Sequence, residues 1–202
     1  GDKVKVYGMV AQGADWGDVD NTAIHGDAGD DIYVAGLEAK IGKVDAYFNY
    51  VKADGINTDK MLPAAGVDKE IYNVGASLDV AKDLNLAYEY MWADKKYNKE
   101  VSKDGWVAKL AYKGAEADAP GTWGLAATYF DQPSNAIIAP TTDASTFLKD
   151  TATTGGGYKG YGLTANYTFA KNMVLELQYF DTEAKVGSSD EKIFYADLYV
   201  TF

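Results

Sequence analysis

The chain has 202 residues, enough for one domain or one barrel. Its formal net charge is -11 and its 19 basic side chains are all lysine, which excludes nucleic acid as a partner because phosphate contacts need a basic surface. It has no cysteine, so neither a disulfide framework nor a thiolate metal site can be built.

Residues 3–11 alternate, with Val4, Val6 and Val10 on one side and Lys3, Lys5, Tyr7 and Met9 on the other, which predicts a first strand. A polar Asp- and Gly-rich stretch, 12–30, reads as a loop. Strands are predicted over 31–41 and 44–51, joined by the two-residue turn Gly42-Lys43. A second polar loop, 53–69, precedes strands over 71–80 and 84–92, with a turn at 81–83. A charged loop, 94–104, leads to strands over 106–113 and 122–130, with a modest turn at 115–121. The longest loop, 131–158, carries two prolines and three consecutive glycines. Strands over 160–169 and 173–180 flank the turn Ala170-Lys171-Asn172. A polar loop, 183–191, enters the last strand, 193–202, which places Phe194, Leu198, Val200 and Phe202 on one face and Tyr195, Asp197 and Tyr199 on the other.

Ten strands are thus expected, with long connections after the odd ones and short turns after the even ones. That rhythm, and one large-apolar face per strand opposite a face of Gly, Ala, Ser, Thr and Asn with scattered charge, predicts an all-β fold. The expected architecture is a transmembrane antiparallel up-and-down β-barrel of about ten strands, closing at ten or forming part of a larger barrel. Residues 1–202 form one domain in this reading, with Phe202 on the periplasmic side. No run of about 18 apolar residues offers a transmembrane helix, and no charged n-region with an apolar h-region opens the chain, so a signal peptide is expected to have been removed. Trp92, Trp106, Tyr112, Trp123, Tyr129, Tyr161, Tyr167 and Phe202 are expected to form aromatic girdles at the two ends of the apolar band. The competing fold is a soluble β-sandwich or lipocalin-like barrel that buries the same apolar face.

Several stretches resemble a known family. They are Pro120-Gly121-Thr122-Trp123-Gly124, Tyr129-Phe130-Asp131-Gln132-Pro133, Gly160-Tyr161-Gly162-Leu163-Thr164-Ala165-Asn166-Tyr167, Ala170-Lys171-Asn172-Met173-Val174 and Val200-Thr201-Phe202. Their order and spacing resemble the C-terminal barrel of the S-layer-homology-type outer-membrane porins of diderm Firmicutes, such as Veillonella and Selenomonas relatives. The resemblance covers roughly the last 85 residues well and the first half only by general pattern. It implies an outer-membrane barrel passing small hydrophilic solutes, often as a homotrimer, with an N-terminal domain and stalk that tether the membrane to peptidoglycan. These 202 residues contain no such domain and no heptad stretch, so tethering is not carried over, and the family's barrels have more strands than ten.

On the inward face the expected pore-lining residues are Lys5, Glu38, Lys40, Asp45, Asp79, Glu89, Lys109, Lys113, Glu176 and Asp197, together with Lys3. Opposite signs nearly balance there, while the acidic excess of the loops attracts cations, so a mild cation preference at most is expected. In the loop 131–158 the apolar piece Ala136-Ile137-Ile138-Ala139-Pro140 has three readings: a constriction folded into the lumen, a subunit contact, or a surface loop. Asp15, Asp18, Asp20, Asp27, Asp30 and Asp31 begin like a calcium loop, but no glutamate closes it, so no metal is expected. His25, the single histidine, is the only centre for a histidine-based dyad, and nothing else supports an enzyme. The expected function is passive diffusion of small hydrophilic solutes across a bacterial outer membrane, without a cofactor. The alternative is a small non-conducting barrel with a structural or adhesive role.

Overall fold

The computed structural model describes residues 3–13, 30–56, 67–138, 144, 145 and 155–201. Ten strands follow one another: β1 (Lys3–Gly13), β2 (Asp30–Ile41), β3 (Val44–Ile56), β4 (Val67–Ala81), β5 (Leu84–Ala93), β6 (Asp104–Lys113), β7 (Trp123–Pro133), β8 (Gly155–Ala170), β9 (Met173–Val186) and β10 (Asp190–Val200). Each pairs antiparallel with its neighbours in sequence, giving a single up-and-down sheet in the order β1 to β10. Among the described residues no ladder joins β1 to β10, so the sheet is open rather than the closed barrel expected.

The short turns set the register. Gly42-Lys43, Lys82-Asp83 and Lys171-Asn172 each hold one residue at positive φ: Gly42 at 62°, Asp83 at 58° and Asn172 at 62°. Those are the residue types that tolerate the left-handed region a two-residue hairpin needs. The longer β6–β7 connection is tied by Thr122, whose Oγ1 accepts from Glu116 N at 2.8 Å and donates to Ala119 O at 2.8 Å.

The sheet is sheared. A row of Cα partners runs Lys3, Lys40, Asp45, Ser77, Ala87, Lys109, Thr128, Gly162, Phe180, Ile193. It starts on the first residue of β1 but meets β10 seven residues before Val200. The short-turn end therefore slips by a little under one residue per strand, a tilt of about 30° given ~3.3 Å per residue and ~4.8 Å between strands.

Alternation divides the sheet into two faces. Val4, Leu37, Phe48, Val74, Leu86, Leu110, Leu125, Leu163, Leu177 and Leu198 stand on one, and they are exposed: Val6 is 78% accessible, Leu125 52% and Phe194 64%. Toward the long-loop end of this apolar face an aromatic row crosses β3 to β9. Tyr72 stacks on Trp92 at 5.4 Å, Trp106 on Tyr129 at 5.2 Å, and Tyr161 lies 6.5 Å from Tyr179. A second group, with Tyr112 edge-on to Trp123 at 5.8 Å, stands near the short turns beside Tyr167, the Cα partner of Trp123. Of the eight expected girdle residues, Phe202 lies outside the described residues.

The core sits on the opposite, polar face, at its long-loop end. Ile32, Ala53, Ile71 and Ile138 form one buried cluster; Ala144, Tyr158 and Phe180 form another.

Candidate functional site

The polar face carries the chemistry. Lys5 and Glu38 are Cα partners and their charges meet at 3.2 Å. Lys40 and Asp45, partners across the β2–β3 turn, meet at 2.8 Å. Asp79 accepts from Asn85 Nδ2 at 2.9 Å, and Glu176 accepts from Gln178 Nε2 at 2.5 Å. Asp197 stands opposite Glu176 on β10, like charge facing like. Lys109 is exposed between Ala87 and Thr128. Lys113 parts from the others: its φ of 57° turns the end of β6, and its ammonium lies 4.4 Å from the Trp123 ring, among the aromatics of the short-turn end.

The polar face is bulkier than its small residues predict. Tyr7, Tyr47, Phe130, Tyr158 and Phe180 stand on it as well. Tyr7 crosses β2 to donate to Asn49 Oδ1 on β3. In the same way Tyr47 crosses β4 and donates to Glu89 Oε2 on β5 at 2.5 Å. Glu89 also accepts from Asn73 Nδ2 at 2.8 Å, and Asn73 Oδ1 is buried with no hydrogen-bond partner among the described residues.

Onto this face folds the start of the β7–β8 connection. A single 3-10 turn, Ser134–Ala136, follows β7 with all three residues buried. Lys69, 4% exposed on β4, donates its ammonium to Ser134 O at 2.5 Å and to Ile137 O at 2.7 Å, with the Tyr97 ring 5.7 Å away. Asn135, 1% exposed, accepts from Asn98 N at 2.7 Å and donates to Asn98 O at 2.8 Å and Ser102 O at 3.0 Å, which ties the segment to the β5–β6 connection. Ile138 fills the apolar seat made by Ile32, Ala53 and Ile71. Ala144 packs on Tyr158 and Phe180, and Ser145 Oγ donates to Glu191 Oε1 on β10 at 2.5 Å. Of the apolar piece, the structure shows Ala136 to Ile138 packed on the polar face of the sheet; Ala139 and Pro140 lie outside the described residues.

Beside it, Tyr97 OH donates to Asp94 Oδ1 at 2.5 Å and accepts from Glu70 N at 3.0 Å. Burial, then the hydrogen bond to Asp94, pushes its hydroxyl well above the usual tyrosine range, so it stays protonated and donating.

Lys69 and Asn135 are absent from the expected site residues. Their partners lie 65 and 37 positions away, at the other end of a loop, and no local spacing announces such a pairing. His25 and Asp15, Asp18, Asp20 and Asp27 lie outside the described residues. Asp31 accepts from Tyr33 OH at 3.3 Å, and among the described residues no group of three metal-ligating side chains occurs.

No family model matches the sequence, and no curated protein matches it either.

Proposed function

We propose that the chain is an outer-membrane β-barrel, or the part of one that these ten strands build, through which small hydrophilic solutes diffuse passively. One observation carries the reading: the apolar face, from Val4 on β1 to Leu198 on β10, is uncovered. Soluble monomers rarely expose contiguous apolar surface beyond a few hundred Å², and hydrocarbon is the solvent that such a face fits. Three features support it. Aromatic groups bound the face at both ends, as interfacial girdles do. The strands are sheared toward the ~35–45° tilt that barrel closure requires. The two-residue turns after β2, β4 and β8 lie at one end of the sheet and the long connections after β1, β3, β5 and β7 at the other, although the polar loop expected before β10 shortens to Gly187-Ser188-Ser189 because β9 and β10 continue their ladder into it. The resemblance to the S-layer-homology-type porins points the same way, and homotrimer assembly is proposed from it alone.

The polar face then lines the pathway. Lys5 with Glu38 and Lys40 with Asp45 neutralise each other. Asp79, Glu89, Glu176 and Asp197 outweigh Lys109, so a mild cation preference follows. No catalytic residue, cofactor or metal is assigned.

A second reading, a non-conducting barrel with a structural or adhesive role, is favoured by one observation: the residues seated on the polar face, with Tyr158 and Phe180 beneath them, fill its long-loop end. Planar-bilayer recording of the detergent-extracted, folded protein separates the two. Steady open current supports the porin, and silence from folded protein overturns it.

A further inference from the structure

The tie at Lys69 has a specific consequence for a conducting protein, and it rests on the porin reading. We propose that Lys69 is a positioning residue: from β4 it holds residues 134–138 on the polar face, with the turn Ser134–Ala136 beside β5, β6 and β8 and Ile138 seated on β2–β4, and thereby sets the free cross-section of the pathway.

Three observations carry this. First, the contact is built rather than incidental. A lysine 4% exposed is among the rarest of buried side chains, and here its ammonium bonds two carbonyls, Ser134 O and Ile137 O, of one short segment. Those carbonyls belong to a 3-10 turn and the residues after it, backbone outside the strand ladders. Second, the segment ends on an apolar side chain with a fitted seat, Ile138 against Ile32, Ala53 and Ile71, so the ammonium and the seat hold the same few residues in one place. Third, the tie is off the charged rows. Lys5, Glu38, Lys40, Asp45, Glu176 and Asp197 line the short-turn half of the face, so the seated segment narrows the long-loop end without neutralising them.

The mechanism is a restraint. With the ammonium in place, the carbonyls of residues 134 and 137 cannot leave the wall without losing charge-assisted hydrogen bonds. With a side chain of the same length that cannot donate, those carbonyls lose their charged donor, and water in the pathway competes for them. The segment then leaves its seat and the opening widens.

The test compares single-channel conductance and neutral-solute size cutoff of the folded chain with those of Lys69→Met, Lys69→Arg and Ile138→Ala. Lys69→Met should raise conductance about twofold and admit larger solutes, because conductance follows free cross-section. Lys69→Arg, which keeps the donors, should stay near the parent. Ile138→Ala weakens the same seat without touching the buried charge, and should shift both readouts in the direction of Lys69→Met. If Lys69→Met does not fold, Ile138→Ala decides. Parent-like conductance and cutoff in folded variants overturn the positioning role while leaving the porin reading intact. A silent parent protein overturns the porin reading, and the positioning role with it.

Discussion

The ring of Tyr47 passes over Gly75, its Cα partner on the next strand, so close that a Cβ built on the glycine would clash with the ring. The hydroxyl thereby reaches Glu89, which is the Cα partner of Gly75 one strand further on. The same device occurs earlier in the sheet: Tyr7 crosses Gly36 to reach Asn49, the partner of Gly36 on β3. Each glycine lets a tyrosine staple three strands through one side chain, on a polar face whose middle has little apolar packing of its own.

Gly75→Ala should break this staple. The methyl group cannot share space with the ring, and overpacking of this kind costs about 1–3 kcal/mol. The lost Tyr47–Glu89 bond adds to it, so the urea midpoint should fall, with Gly36→Ala following the same direction. An unchanged midpoint in both variants would contradict the stapling account.

Glu176 and Asp197 face each other as like charges. Asp197→Asn should therefore leave stability unchanged or raise it by roughly 0.2–1 kcal/mol. In a salt gradient, Glu176→Gln with Asp197→Asn should move the reversal potential away from cation preference. Neutralising the paired Lys5 and Glu38 together should move it little. A larger shift from that second pair would contradict the assignment of the field to Asp79, Glu89, Glu176 and Asp197.

Tyr97 supplies a pH dependence. Burial first, and the hydrogen bond to Asp94 second, raise its folded-state pKa above the usual ~10. A raised pKa means that its stabilisation is fully present below about pH 10 and is lost as pH rises through the folded value. The protection of amides 94–103 relative to their intrinsic, base-catalysed exchange rates should accordingly hold from neutral pH and fall only in strong alkali. Tyr97→Phe should make exchange there faster at neutral pH and remove the alkaline step. A step centred below pH 9 would contradict the sign of the shift.

The apolar face makes a depth-dependent prediction. Leu163→Lys, in the middle of the face, should destabilise the protein folded into bilayers by about 2–4 kcal/mol. Thr164→Lys, the next residue and on the polar face, should cost far less. Equal costs would show that the two faces do not meet different solvents.

Much of the sheet was legible in the sequence, and unevenly so. The short-turn ends of β2, β3, β5 and β9 fall where alternation and the turns Gly42-Lys43 and Lys171-Asn172 place them. At the long-loop ends β8 starts at Gly155 rather than 160, β9 runs to Val186 rather than 180, and β3 to Ile56 rather than 51. There both faces turn polar, so the two-residue period fades while the backbone ladder continues. Parity placed the charged residues on one face of the sheet, except that the positive φ of Lys113 swings its ammonium to Trp123, which parity cannot anticipate. Tyr7 and Tyr47 were legible as inward but not as staples, because their glycines lie on other strands. The apolar Ile138 signalled that its loop had something to bury; Lys69, which holds it, carries no signal of its own.

The central claim is that alternate residues meet lipid and water, and the chain's lack of cysteine allows a direct measurement. Single cysteines at Tyr161, Leu163, Thr164, Ala165, Asn166 and Tyr167 on β8, each carrying an environment-sensitive fluorophore, would be read in bilayers with lipid-borne and aqueous quenchers. The lipid-borne quencher should act at 161, 163, 165 and 167, with 163 and 165 quenched from deeper in the bilayer, and the aqueous quencher at 164 and 166. Uniform aqueous quenching, or the opposite alternation, would contradict the account.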